Sequence, residues 1–259
     1  MRAIWSGSIG FGLVNIPVKL YSATQESRLD LDMLDKKDHS HIRFQRINEK
    51  TGKEVTWENI VKAYNYNDEY VVLEDDDFAA VSPKKSKIIE ISSFVDAVEI
   101  DDMYFETPYY IEPDKGGGKA YELLLQTLTK TDKVGISLFV LRSAEHLSIV
   151  RPKEDYLVLH RLRFAEEIRD PKDLALPSNV KIAKKELDMA VKLVEQYTEP
   201  FDITRYKDEY RKELLKIIKA KAAGKRPAVK KLRVVHTKST DLFDQLKASL
   251  GSSGKKRVS

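Results

Sequence analysis

Hydrophobic residues in the first two thirds of the chain recur in short runs, with polar positions alternating between them, a pattern typical of β-strands. Residues 1–25 predict a strand, a turn and a second strand: Ile4 and Trp5 precede Gly7 and Gly10, and a second apolar run follows. Further strands are predicted at Ile42–Ile47, Tyr70–Leu73, Lys87–Ile91, Val134–Leu141 and Tyr156–Leu162. Many short strands with few long helices favour a barrel or a strongly curved sheet.

Three other segments carry apolar residues at spacings of three and four, the period of an amphipathic helix. The first begins near Gly118, and its apolar face is Tyr121, Leu124, Leu125 and Leu128. The second follows Pro177, with Ala183, Leu187, Ala190, Val191, Val194 and Tyr197. The third runs from about Thr204 to a stop at Gly224, with Tyr206, Tyr210, Leu214 and Ile217. The apolar faces of the last two helices need a surface to cover them, and their own barrel is one candidate.

The charge is unevenly distributed along the 259 residues. Residues 203–259 hold 17 Lys/Arg against 5 Asp/Glu, a net charge of +12, which leaves −8 for residues 1–202. A basic segment of this density favours a polyanion, because each neutralised phosphate releases counterions. A solvated helix face followed by a disordered end is the alternative interpretation.

The C-terminal residues divide into three parts. Lys225–Thr237 predicts a mobile basic linker. Thr240 can then cap a short helix whose apolar stripe is Leu242, Phe243, Leu246 and Leu250, too short to fold alone. Gly251–Ser259 is rich in Gly, Ser and Lys and predicts a disordered end.

Composition excludes several classes of protein. The chain has no Cys, which rules out disulfides, thiolate zinc sites and a Cys nucleophile, and agrees with a reducing compartment. No apolar stretch approaches the length needed to cross a bilayer, and residue 1 is not followed by the apolar core of a signal peptide. We therefore expect a soluble cytoplasmic protein with no membrane partner.

The candidate catalytic motifs fail in detail. Four consecutive acids, Glu74–Asp77, are better explained by a helix N-terminus than by a metal site. The glycine-rich Pro113–Lys119 lacks the first Gly and the final Ser or Thr of a phosphate-binding loop. The five histidines form no zinc motif. The nearest match to the Lys-x-Asp-Gly motif of ligases is Lys130–Lys133, which has Lys133 in place of the Gly. The sequence predicts no catalysis, no cofactor and no metal.

Several separated segments resemble the bacterial Ku proteins: MRAIWSGSIGFGLVNIPVKLYSATQ at the start, KEVTWENIVKAY, YVVLEDDDF, FETPYYIEPDKGGGKAYELLL and RYKDEYRKELLKIIKAKAAG. The resemblance implies a mixed β and α fold, with a β-barrel and bridging loops in residues 1–176. A helical arm that embraces the other protomer would follow in residues 177–224, and a basic linker, short helix and tail in residues 225–259. It also implies a homodimeric ring around double-stranded DNA that recruits an ATP-dependent DNA ligase for non-homologous end joining, near the nucleoid.

The resemblance also suggests site residues. The insertions after the first strands contribute to a bridge over DNA in Ku proteins, which makes candidates of Lys36, Lys37, Arg43, Arg46, Lys50, Lys53, Lys84, Lys85 and Lys87. The C-terminal linker adds Lys225, Arg226, Lys230, Lys231 and Arg233. The C-terminal helix would contact the ligase through Leu242, Phe243, Leu246 and Leu250, unless it docks on its own protomer. Ordinary surface charge is the alternative for each basic residue.

Two departures from the family pattern matter. Some bacterial Ku proteins carry a Cys-x-x-Cys pair where this chain has Asn48 and Thr51, so zinc is not expected there. The tail after Leu250 is also short.

Besides the end-binding ring, two other functions fit the sequence: a duplex-coating protein that binds mainly through its basic C-terminal segment, and an enzyme that processes DNA ends.

Overall fold

The computed structural model describes residues 1–81, 87–142, 144–178, 180–225 and 246–247, and it divides the chain into two compact units, residues 1–171 and 172–259. The first unit contains a closed barrel with the strand order β1-β2-β6-β9-β8-β7-β5. Its strands are β1 (Trp5–Phe11), β2 (Val14–Ser22), β5 (Ile88–Asp96), β6 (Phe105–Pro113), β7 (Lys133–Leu141), β8 (Ala144–Lys153) and β9 (Tyr156–Leu162). The barrel and its helices confirm the mixed β and α fold that the sequence predicts.

The first two strands form the predicted hairpin, but its turn lies elsewhere. Gly12, with a φ of +57°, makes the turn, whereas Gly7 and Gly10 lie within β1. Gly7 is needed for a different reason: a Cβ there would overlap the Lys87 carbonyl oxygen and the Trp5 indole. The Ser8 N–H donates to that same carbonyl at 2.8 Å, so β1 and the entry to β5 lie in close contact.

The main core fills the barrel and continues onto helix α2 (Gly118–Thr131), which packs against β2, β7 and β8. All four apolar residues predicted on one face of this helix are buried, which confirms that prediction. The Tyr121 hydroxyl accepts the Leu157 N–H at 2.7 Å and donates to the Ile111 carbonyl oxygen at 2.9 Å. These two bonds join α2 to β9 and β6.

Two polar residues are fully buried in the barrel wall. Ser137 and Ser148 are cross-strand partners on β7 and β8, and their hydroxyl oxygens lie 2.8 Å apart. Each hydroxyl is also within hydrogen-bonding distance of the other residue's carbonyl oxygen, at 3.3 and 3.2 Å. Because both groups are paired, their burial does not carry the penalty of an unsatisfied polar atom.

Between β2 and β5 the chain leaves the barrel. Residues 23–81, which we call the bridge segment, contain no buried residue. Its elements are β3 (Lys62–Tyr66) and β4 (Glu69–Leu73), which form a separate two-stranded sheet, and helix α1 (Asp75–Val81). Asp75, Asp76 and Asp77 occupy the first turn of α1, which confirms the helix N-terminus predicted for the acidic run.

The strand predicted at Ile42–Ile47 is wrong. That region forms two isolated bridges instead, Leu34 with His41 and Ile47 with Glu54. The alternating pattern misleads because Asp and Asn side chains on either side bind backbone N–H groups locally, which competes with a strand ladder.

The second unit contains α3 (Lys184–Tyr197) and α4 (Glu209–Ala222). Helix α4 begins five residues later than the predicted Thr204, because the Asp208 carboxylate accepts the Arg211 N–H at 2.9 Å and caps the helix there. The Asp202 carboxylate holds a separate 3-10 turn, Ile203–Arg205, through the Thr204 N–H. Among the described residues, no helix is long and apolar enough to cross a membrane.

Candidate nucleic-acid interface

The bridge segment is divided by charge. Residues 36–53 hold six Lys or Arg against two acids, whereas residues 68–77 hold six acids and no base. Six of the predicted DNA-binding residues lie in this basic section, and all six are exposed: Lys36, Lys37, Arg43, Arg46, Lys50 and Lys53. Within the described part of the chain, none of the six forms an ion pair. Their charge is therefore available to an external anion.

The first turn of the basic section carries Lys36 and Lys37. The Asp35 carboxylate accepts the Lys37 N–H at 2.7 Å, and the Asp35 N–H donates to the Ser40 carbonyl oxygen at 2.8 Å. His39 adopts a positive φ of 58° to close the turn. The sequence thus uses short polar side chains to fold the backbone and leaves both lysines exposed at the tip.

The second turn carries Lys50 and Lys53. The Asn48 side-chain oxygen accepts the N–H groups of Lys50 at 3.0 Å and of Thr51 at 2.9 Å. Gly52, with a φ of +65°, donates its N–H to the Asn48 carbonyl oxygen at 2.8 Å. Asn48 and Thr51 therefore build this turn through their own hydrogen bonds.

Arg43 and Arg46 lie in the connection between the two turns. The Arg46 guanidinium carbon lies 4.4 Å from the ring centroid of Trp57, over its face. A second cation lies over an aromatic ring in the same segment, with the Lys62 ammonium 4.8 Å from the Phe78 centroid. Sequence reasoning missed Trp57 and Lys62. A Trp between Lys53 and Lys62, with few apolar residues around it, was the available signal.

The remaining predicted site residues are less well placed. Lys87 is exposed at the entry to β5, apart from the two turns, and Lys225 is exposed after α4. Leu246 lies in a two-residue helical segment with Lys247. The other candidates lie outside the described residues: Lys84, Lys85, Arg226, Lys230, Lys231, Arg233, Leu242, Phe243 and Leu250.

No metal site emerges from the described residues, which contain no cluster of three or more His, Cys, Asp or Glu suited to an ion. The most perturbed imidazole is His160 on β9, whose Nδ1 atom is buried without a hydrogen-bond partner. Burial, with Arg151 and Lys153 nearby, lowers the pKa of His160 to about 4. His160 is therefore uncharged at neutral pH. Its ring packs edge-on against Phe105, with the two ring centroids 5.4 Å apart.

Comparisons with known proteins agree with this architecture. A family model described as the Ku70/Ku80 beta-barrel domain matches residues 10–189. A protein of Pseudomonas aeruginosa is 42% identical over 259 residues, covering 97% of this chain and 88% of its own. One from Archaeoglobus fulgidus is 41% identical, covering 96% and 98%, and one from Mycobacterium tuberculosis is 38% identical, covering 86% and 84%. All three are named "Non-homologous end joining protein Ku".

These matches confirm the resemblance and the type of barrel predicted from the sequence. The match to this family model and to these proteins also agrees with the prediction that this chain is not an enzyme.

Proposed function

This chain belongs to the Ku family, and from that premise we propose that it binds the ends of double-stranded DNA without sequence specificity in non-homologous end joining. We further propose that two copies form a ring around the duplex and that the ring recruits an ATP-dependent DNA ligase. The chain itself performs no catalysis and needs no cofactor.

The bridge segment carries the proposal. Its 59 consecutive residues include none that is buried, so the segment has no core of its own. An isolated two-stranded sheet such as β3–β4 is only marginally stable in water. The segment therefore needs contacts with another molecule to be stabilised. Its basic section holds six cations without an ion pair among the described residues, four on the two turns and two in the connection between them, which favours a phosphate backbone as that partner.

Contacts of this kind position a protein on DNA without reading its sequence, because phosphates are the same at every base pair. A closed ring adds selectivity of another kind, since it can load only where the duplex ends. Lys and Arg would supply salt-sensitive affinity, and topology would supply the preference for breaks.

The second copy of the chain is supported by the apolar face of α3. Leu187, Val191 and Val194 are all exposed on this helix, at 55%, 46% and 67%. An amphipathic helix derives most of its stability from covering such a face. We propose that the apolar face of α3 packs against another protomer.

Ligase recruitment is proposed for the short C-terminal helix. The helix that the sequence predicts would place Leu242, Phe243, Leu246 and Leu250 on one side, which is the pattern of helix-in-groove recognition. Replacing Phe243 by Ala should weaken ligase binding and leave DNA binding unchanged, which a pull-down with purified ligase and a parallel DNA titration would measure.

The first test compares one DNA sequence as a linear duplex and as a relaxed closed circle, near physiological salt. A ring should bind the linear form far more tightly, because the circle offers no end to thread. Equal affinity for the two forms would rule out threading.

The basic C-terminal segment supports one alternative, a duplex-coating protein, because it contributes most of the +12 charge of residues 203–259. A chain truncated after Gly224 separates the two functions. End binding should survive in weakened form if the ring binds, and should largely disappear if the C-terminal segment does the binding.

A further inference from the structure

Trp57 is an exposed aromatic residue that phosphate binding alone does not explain. Its side chain is 69% exposed, in contrast to Trp5, whose indole N–H donates to the Val140 carbonyl oxygen at 3.1 Å and whose ring packs edge-on against Phe139. Trp is highly buried on average, and leaving so much apolar surface in water sacrifices the stability that burial would give. We therefore expect a binding partner to cover the indole of Trp57.

The position of Arg46 over Trp57 indicates which kind of partner the indole can bind. Its guanidinium lies over one face of the indole, with the guanidinium carbon 4.4 Å from the ring centroid. Trp57 is 69% exposed with Arg46 in this position, so most of the side chain is still accessible to a partner. A stacked guanidinium still directs its N–H donors outward in its own plane, where they can bind a phosphate in bidentate fashion.

The platform is held in place by its neighbours. The Val55 N–H donates to the Arg46 carbonyl oxygen at 2.8 Å, which ties the two sides of the second turn together. The Asn59 side-chain amide donates to the Thr56 hydroxyl at 2.9 Å, and Trp57 begins the 3-10 turn Trp57–Asn59. A preformed site loses less conformational entropy on binding than a flexible one.

The surroundings favour a nucleic acid. Trp57 follows the basic section of residues 36–53, which contains another exposed aromatic, Phe44, directly after Arg43. The tyrosines of the β3–β4 sheet lie instead beside the acidic residues 68–77. Aromatic rings interleaved with cations bind single strands by base stacking and phosphate contacts together.

We propose that Trp57 and Arg46 form a site for an unpaired nucleobase and its adjacent phosphate, so that the protein holds single-stranded tails at broken ends. The base stacks on the open face of Trp57, and Arg46 binds the phosphate. An unpaired base fits because both of its faces are free, whereas a base inside a duplex is covered on both faces by its neighbours. The proposal rests on the proposed DNA-end binding and extends it from the duplex to the tail.

The test uses three versions of one duplex: a blunt end, a 3′ single-stranded tail, and a tail of the same length with abasic sugars. The native chain should bind the tailed duplex about 5- to 140-fold more tightly than the blunt one, the range that a single stacked base supplies. The abasic tail keeps the phosphates and should lose most of that gain. W57L should lose the gain while binding the blunt duplex normally.

The matched control is Y64L, since Tyr64 is also an exposed aromatic of the bridge segment, 65% exposed, but belongs to the β3–β4 sheet. Y64L should keep the gain. R46K keeps the charge but not the planar stack, and should retain only part of it. Indole fluorescence gives an independent readout: the tailed duplex should quench emission in the native chain and leave the remaining Trp5 emission of W57L unchanged.

Three results would overturn the site. W57L could bind all three DNAs like the native chain, or it could weaken blunt and tailed binding equally, which would make Trp57 a general contact. Loss of dimer in light scattering of W57L would assign the indole to the protein partner. Failure of the native chain to prefer linear duplex over a closed circle is a separate result, and contradicts the proposed ring instead.

Discussion

The hydroxyl group of Tyr121 accepts the backbone N–H of Leu157 at 2.7 Å, and so connects helix α2 to strand β9 across 36 residues of sequence. The same hydroxyl donates to the Ile111 carbonyl oxygen at 2.9 Å, on β6. Burial raises the pKa of Tyr121, so the group stays neutral and keeps its proton for that second bond. One side chain thus fixes the helix against two neighbouring strands of the barrel.

Replacing Tyr121 by Phe should lower the free energy of unfolding by about 1–3 kcal/mol, because the Leu157 N–H would be left buried without an acceptor. Urea denaturation followed by circular dichroism measures the change. Y110F is the matched control, since Tyr110 is only partly buried and has no hydroxyl hydrogen bond within the described residues. Equal effects of the two substitutions would contradict the bridging role of the hydroxyl.

Gly7 and Gly118 should respond to alanine in opposite ways. A Cβ at Gly7 would overlap the Lys87 carbonyl oxygen and the Trp5 indole, so G7A should destabilise the barrel by about 1–3 kcal/mol. At Gly118, in the first turn of α2, nothing lies within 4 Å of the added carbon, and G118A should stabilise the helix by up to about 1 kcal/mol. Thermal unfolding of the two variants measures both changes, and a stable G7A would refute the close contact of β1 and β5.

The sequence predicts those parts of the fold that have a clean period and a local cause. Helix α2 is an example, since its four apolar positions are the four that are buried. Strand β9 is another, with the same bounds in prediction and structure. Strands β6 and β8 were not among the predicted runs. Pro108 and Pro152 interrupt their patterns. Strand β6 also pairs with β2 and β9, which are distant in sequence, whereas β8 pairs with its sequence neighbours β7 and β9.

The candidate site was harder to predict, because its key contact joins residues of different character. The basic residues of the two turns could be found by charge alone, and they are exposed as expected. The stack of Arg46 on Trp57 could not be found in this way, because it forms only when the second turn brings the chain back past Arg46. Side-chain hydrogen bonds from Asp35 and Asn48 determine those turns, and an alternating pattern gives no sign of them.

His160 should make the barrel sensitive to mild acid. An unfolded chain takes up a proton at the ordinary histidine pKa of about 6.5, whereas the folded pKa of His160 is about 4. Between these values the unfolded state binds more protons, so stability falls as the pH drops from 6.5 toward 4. Burial also lowers the pKa of His146, which acts in the same direction.

H160F should make that decline shallower, because Phe keeps the edge-on contact with Phe105 and has no proton to bind. Unfolding free energies from urea titrations between pH 7 and pH 5 provide the comparison. H39Q serves as the control, since it removes an exposed histidine of the bridge segment and leaves His160 in place. If H160F and the native chain declined in parallel, His160 would not be the group responsible.

The six uncompensated cations of the bridge segment lead to a prediction about salt. Each phosphate contact contributes a slope of about 0.9 to the fall of log affinity with log salt concentration. Replacing Lys36, Lys37 and Lys50 by Gln should therefore weaken duplex binding at low salt and reduce that slope by about 2 to 3.

The matched control replaces three exposed lysines near or on helix α2, Lys115, Lys119 and Lys130, and removes the same total charge. If the bridge segment lies along the DNA, the control should keep most of the native slope, because charges remote from the phosphates release few counterions. Fluorescence anisotropy with a labelled duplex from 50 to 200 mM salt, about the range where such contacts dominate, measures both variants. If the bridge variant kept the native slope as well, the DNA contacts would lie elsewhere, with the basic C-terminal segment as the next candidate.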